Sequence, residues 1–141
     1  MQRRVYYPGG QVLADITPSE RELEILKVLW GLGAGTVREV HEKMCPRGEL
    51  AFNTVQTVLR IMEEKGLVEH RAEKRTFIYV PKFSRERVAS RFLNKVFDGA
   101  LDEMVLTMLE ARDASPQELK ELEQIIAKAR KQKQIRQREG E

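Results

Sequence analysis

Sulfur chemistry is nearly missing from this sequence. Cys45 is the only cysteine in 141 residues. An internal disulfide is excluded, and a lone thiolate cannot build a metal cluster. A disulfide between two subunits is out of place in a reducing compartment. His41 and His70 are the only histidines, far apart and without carboxylates or cysteine at ligand spacing. They read as polar surface or helix-flank residues, so no metal and no cofactor is expected. No apolar run approaches the ~20 residues that span a bilayer, so no membrane insertion is expected. Met1-Gln2-Arg3-Arg4-Val5-Tyr6-Tyr7-Pro8 carries an arginine pair without the apolar segment of a secretory signal, which points to the cytoplasm. Nor is there a nucleophile with a base at useful spacing. Gly31-Leu32-Gly33-Ala34-Gly35 has spaced glycines, but they follow a helical pattern rather than a strand, which argues against a dinucleotide site. The chain does not read as an enzyme.

What is present is a soluble, globular balance of 41% hydrophobic and 33% charged residues. The length suits one domain, or a small domain with a helical module. The net charge of +3 is unevenly spread. Residues 53–97 hold ten Lys/Arg against five acids, 98–126 hold eight acids against two bases, and 127–141 hold six bases against two acids. A basic middle fits a polyanionic partner; the acidic block after it must serve another purpose.

Residues 1–14 have two glycines, a proline and little periodicity, and read as a flexible arm. Thr17-Pro18-Ser19-Glu20 reads as a helix start, with Thr17 as cap, Pro18 in the first position and Glu20 closing a capping box. Leu23, Leu26, Leu29 and Trp30 follow at helical spacing until the glycines at 31, 33 and 35. Thr36-Val37-Arg38-Glu39 opens a short second helix, ended by Pro46 and Gly48. A third helix spans Asn53–Lys65, with Val55, Val58, Leu59 and Met62 on one face and Gly66 at its end. The period then changes. Leu67–Arg71 and Thr76–Val80 read as two strands around the polar turn Ala72-Glu73-Lys74-Arg75, with Pro81 closing the hairpin. Ser84 caps a fourth helix, Asp98-Gly99 breaks the pattern, and Ser115-Pro116-Gln117-Glu118 opens a last helix that frays from Lys131.

The fold class is therefore mostly α with a small β-hairpin: a winged helix-turn-helix domain followed by a helical dimerisation region. The expected division is an arm at 1–14, a winged-helix DNA-binding domain at 15–82, a helical dimerisation domain at 83–130 and a polar tail at 131–141. In the third helix Asn53, Thr54, Gln56, Thr57 and Arg60 face away from the apolar set. Short hydrogen-bonding side chains at a helix start, followed by an arginine, suit base edges in a major groove. Arg71, Lys74 and Arg75 on the wing would meet the sugar-phosphate backbone. Thr36 and Arg38 open the second helix, whose free amides can hold a phosphate.

The later helices carry more apolar side chains than one copy can hide. Phe92, Val96, Phe97, Leu101, Met104, Val105, Met108, Leu109, Leu122, Ile125 and Ile126 are assigned to a homodimer interface. Pairing two copies lets two domains read a palindromic site on double-stranded DNA.

In its order and spacing of motifs the chain resembles the penicillinase-repressor family, the BlaI/MecI/CopY group of bacterial repressors. The resemblance covers residues 16–130 and rests on Thr17–Glu20 through Leu29-Trp30, on Thr36–Val40, and above all on Leu50-Ala51-Phe52-Asn53-Thr54-Val55-Gln56-Thr57-Val58-Leu59. Lys65–Val68, Arg75–Pro81, Phe92–Gly99 and Ser115–Leu119 extend it. It implies a homodimer on a palindromic operator that blocks transcription, with Thr54, Gln56, Thr57 and Arg60 facing DNA. For the β-lactam-responsive branch it further implies an antibiotic response, in which a membrane sensor protease triggers cleavage within the dimerisation helices. The equivalent bond here is Thr107–Met108, where that branch typically carries Asn-Phe. The copper-responsive branch uses a cysteine pair near the C-terminus; no cysteine follows Cys45, so copper sensing is set aside.

Two other readings use the same residues. A winged helix can bind protein instead of DNA. A repressor can also be released by a small ligand, with Tyr79, Phe83 and Phe92 as pocket residues.

Overall fold

The structure, a computed structural model, describes residues 17–140. The expected arm at 1–14 lies outside the described residues. The chain divides into two compact units, with the boundary between Gly99 and Ala100.

The first unit begins with α1, Glu20–Leu32. Its cap is Ser19, not Thr17: Ser19 Oγ accepts from Glu22 N at 3.2 Å, and Glu22 Oε1 accepts from Ser19 N at 2.9 Å. The start shifts by two residues because Ser19–Glu22 meets the same Ser-x-x-Glu spacing, and Pro18 then stands before the cap, where no amide is required. Ile25, Leu26 and Leu29 face inward. Gly33, at φ 83°, stops the helix.

The strand β1 is only Gly35–Thr36. Thr36 also caps α2, Val37–Met44, through a reciprocal box with Glu39 at 3.1 and 3.0 Å. After a short loop comes α3, Phe52–Lys65, closed by Gly66 in the left-handed conformation at φ 82°. His41 Nε2 donates to Leu50 O at 2.7 Å and pins the turn between α2 and α3. Val55, Leu59 and Met62 are buried and Val58 is half-buried, as the helical period requires.

The hairpin is β2, Val68–Glu73, and β3, Thr76–Pro81, with Lys74 at φ 58° in its tip. The sheet has three antiparallel strands in the order β1-β3-β2, since Gly35 pairs with Tyr79 and Thr36 with Ile78. This pairing ties the wing to the start of α2. It was invisible in the sequence because two residues carry no period. Ser84 caps α4, Arg85–Phe97, as expected. Val88 joins the core, and Trp30 Nε1 donates to Phe83 O at 2.9 Å, anchoring α1 to the segment before α4.

Ile25, Leu29, Val40, Val55, Leu59 and Met62 form the middle of one core, floored by Val68 and Tyr79. One charged residue enters it. Glu22 is 3% exposed and receives Lys65 Nζ, from the last turn of α3, at 3.0 Å. Burial pushes this carboxyl up, but the Ser19 amide and Lys65 ammonium outweigh it and hold the group below the usual carboxylate value.

Asp98 at φ 51° and Gly99 at φ 80° end α4. The second unit contains α5, Leu101–Ala111, and α6, Pro116–Glu139. Ser115 and Glu118 form the capping box expected there, at 3.1 and 3.5 Å. The fraying expected from Lys131 does not occur: α6 runs to Glu139. Lys, Arg and Gln are strong helix formers, and no Gly or Pro intervenes before Gly140.

Candidate nucleic-acid interface

Packing of α3 leaves one of its faces in solvent. Asn53, Thr54, Thr57 and Arg60 are exposed and Gln56 is half-buried. Thr57 Oγ1 donates to Asn53 O at 2.9 Å, so its hydroxyl oxygen remains available as an acceptor and its methyl as an apolar surface. The first α3 amides have no side-chain cap, because Ala51 holds the cap position. Thr54 N and Val55 N both donate to Ala51 O, at 3.1 and 3.3 Å, which leaves the Phe52 and Asn53 amides for an external acceptor.

Beside this face lies an open cleft of about 700 Å³ between the start of α2, α3 and β3. Thr36, Arg38, Gln56, Arg60 and Arg75 line it, with Val37, Phe52, Thr76, Phe77 and Tyr79. Five of the ten DNA-facing residues named from the sequence are thus gathered in one concavity. Asn53, Thr54 and Thr57 stand on the α3 surface outside the cleft lining, as do Arg71 and Lys74 on the hairpin. Thr36 has a second task, since its hydroxyl oxygen accepts from Glu39 N.

The electrostatics favour an anion. Arg38, Arg60 and Arg75 make no ion pair with any described residue. Arg71 is the one wing arginine near a carboxylate, 3.9 Å from Glu73, and both side chains are largely exposed. Tyr79 is buried beneath Arg60, and burial, followed by Glu63, raises its hydroxyl above the ordinary value, so it stays neutral.

The aromatic lining was missed in the sequence. Phe52 is 41% and Phe77 49% exposed. His70 stacks on Phe77 at 4.1 Å and pairs through Nδ1 with Glu63 of α3, fixing the hairpin to that helix. The available signal was Phe52 at the opening of α3 and Phe77 two residues before Tyr79, on the same face of β3. Tyr79 and Phe83 sit in or against the core, whereas Phe92 is exposed. No group of three or more His, Cys, Asp or Glu among the described residues is arranged to hold a metal. No helix there is long and apolar enough to cross a membrane.

Comparison with known proteins places the chain in a family. The family model described as penicillinase repressor matches residues 18–128. A penicillinase repressor of Bacillus licheniformis is 33% identical over 119 residues, spanning 82% of this chain and 93% of that one. The methicillin resistance regulatory protein MecI of Staphylococcus aureus (strain N315) is 23% identical over 114 residues, spanning 78% and 93%. The solution structure of the DNA binding domain of the repressor BlaI aligns with a TM-score of 0.45 at 30% identity, over 52% of this chain and 88% of that one. With nearly all of its folded span matched, this chain belongs to the penicillinase-repressor family, whose members are transcriptional repressors and not enzymes.

Proposed function

We propose that the protein represses transcription as a homodimer on a palindromic operator, each copy reading a half-site through α3 and holding the flanking backbone with the hairpin. The observation that carries this is the convergence of Arg38, Arg60 and Arg75, from three different parts of the fold, on one open cleft beside a hydrogen-bonding helix face. Gln56 and Arg60 are assigned to base edges, together with Asn53, Thr54 and Thr57. Arg38, Arg71, Lys74 and Arg75 are assigned to phosphates, with Thr36 lining their approach.

Apolar exposure supports the second copy. Among described residues 100–140, Met104 is the only buried hydrophobic, while Leu101 is 70% and Ile125 63% exposed. Val105, Met108, Leu109, Leu122 and Ile126 are exposed as well, as are Phe92 and Val96 of α4, with Phe97 half-buried. Side chains of this size in water favour association. Release by cutting Thr107–Met108 follows from the family's β-lactam-responsive branch, with a membrane sensor protease as the trigger. A cut within α5 would separate the half-sites and remove their shared effective concentration.

Footprinting the protein on genomic DNA and titrating the recovered duplex against salt tests the reading. Steep weakening with salt, and one dimer per palindrome, are expected. Little affinity at low salt would instead favour a protein-binding winged helix.

A further inference from the structure

The last turns of α6 carry charge that the operator reading does not use. Lys128, Arg130, Lys131, Lys133, Arg136 and Arg138 are all exposed, and none forms an ion pair with a described residue. The reason is in the sequence. Glu139 is the sole acid in residues 127–139, and Glu123, the nearest acid upstream, has Ala127 four positions on. The penicillinase-repressor model ends at residue 128, the first of these cations, so nothing in the family match accounts for the segment.

We propose that residues 128–138 are a second polyanion-binding element, which takes the phosphate backbone of duplex DNA outside the α3 half-site. The inference rests on the DNA-binding reading above. At 100° per residue the six cations surround the helix rather than share a side. A flat acidic surface would meet only part of them, whereas duplex grooves set phosphates along both flanks of an inserted helix. The segment is about 16 Å long, a length of duplex that carries about ten phosphates. Ile135 is its only large apolar residue, so it lacks the apolar face that holds a helix in a lipid surface. The acidic block at 98–126 of a second copy is the competing occupant.

The test uses the full chain with the six cations changed to Gln, a comparably strong helix former. Binding to the minimal operator, and to the operator lengthened by flanking duplex, is followed over a salt series. Circular dichroism and sedimentation run alongside. For the variant, the slope of log affinity against log salt should fall by about two or more. Its affinity for the lengthened duplex should drop about tenfold at low salt, and that for the minimal operator much less. A second variant exchanging Lys and Arg at the six positions should bind like the parent, which separates charge from helix loss. An unchanged slope overturns the inference. So does a loss that tracks a smaller sedimenting mass, which would assign the segment to the other copy's acidic block. If the parent chain itself binds no duplex, the function reading falls first and this inference with it. Arg60→Ala, which weakens half-site binding without touching the segment, should leave the low-salt slope contributed by the segment in place.

Discussion

Changing Glu22 is expected to loosen α3 without touching its exposed polar face. This carboxylate joins the first turn of α1 to the last turn of α3, accepting from Ser19 N at 2.9 Å and from Lys65 Nζ at 3.0 Å. Lys65 is 44% exposed in its side chain, so the ion pair contributes about 1 kcal/mol rather than a fully buried value. The capping half of the arrangement contributes about another 1 kcal/mol. Glu22→Gln keeps an acceptor for Ser19 and loses the charge; it should cost about 1 kcal/mol, or roughly 4–8 °C in the melting of a domain this size. Glu22→Ala loses both and should cost about twice as much. The pH dependence has a definite sign. The folded carboxyl titrates below its unfolded value of 4.5, so its contribution is complete above that value and is lost as pH falls through the folded pKa. Thermal unfolding of parent and Glu22→Gln at pH 7 and at pH 3 should therefore show a gap at neutral pH that narrows in acid. Equal melting at pH 7, or a gap independent of pH, would refute the account of this pair.

Gln56→Ala and Arg60→Ala should each weaken operator binding by about 1–3 kcal/mol and relax base preference, measured by competition with single-position operator variants. Lys74→Ala and Arg75→Ala should weaken binding to all sequences alike and lower the salt slope by about one for each phosphate no longer neutralised, read by anisotropy. Leu59→Ala, at 0% exposure in the centre of the core, should cost about 2–5 kcal/mol in chemical denaturation without altering any side chain on the exposed face of α3. Leu122→Asp with Ile126→Asp should shift sedimentation toward the single chain and weaken binding to a full palindrome far more than to a half-site.

Local chemistry made most of the elements legible. The boxes at Thr36–Glu39 and Ser115–Glu118, the cap at Ser84, the left-handed Gly66 and the break at Asp98-Gly99 are each set by residues within one turn. Two local solutions competed at Thr17 and Ser19, and only the one at Ser19 also places its glutamate, Glu22, against Lys65, 43 residues on. The strand β1 was out of reach for the same reason: Gly35 and Thr36 are a strand only because Tyr79 and Ile78 lie beside them. In the site, the polar face of α3 followed from its period. The cleft did not, because Arg38, Arg60 and Arg75 converge through the tertiary fold and Phe52 and Phe77 break the usual rule that large apolar side chains turn inward.

The small sheet has one further consequence. With the order β1-β3-β2, the outer side of β2 has backbone amides and carbonyls that no strand covers, a template on which a foreign chain could grow an aggregate. Glu69, Arg71 and Glu73 alternate along that strand, and all three are exposed. A strand from another wing would have to bring its own charges against these and strip their water. The exposed edge of the hairpin is thus charged against edge-to-edge pairing with another copy.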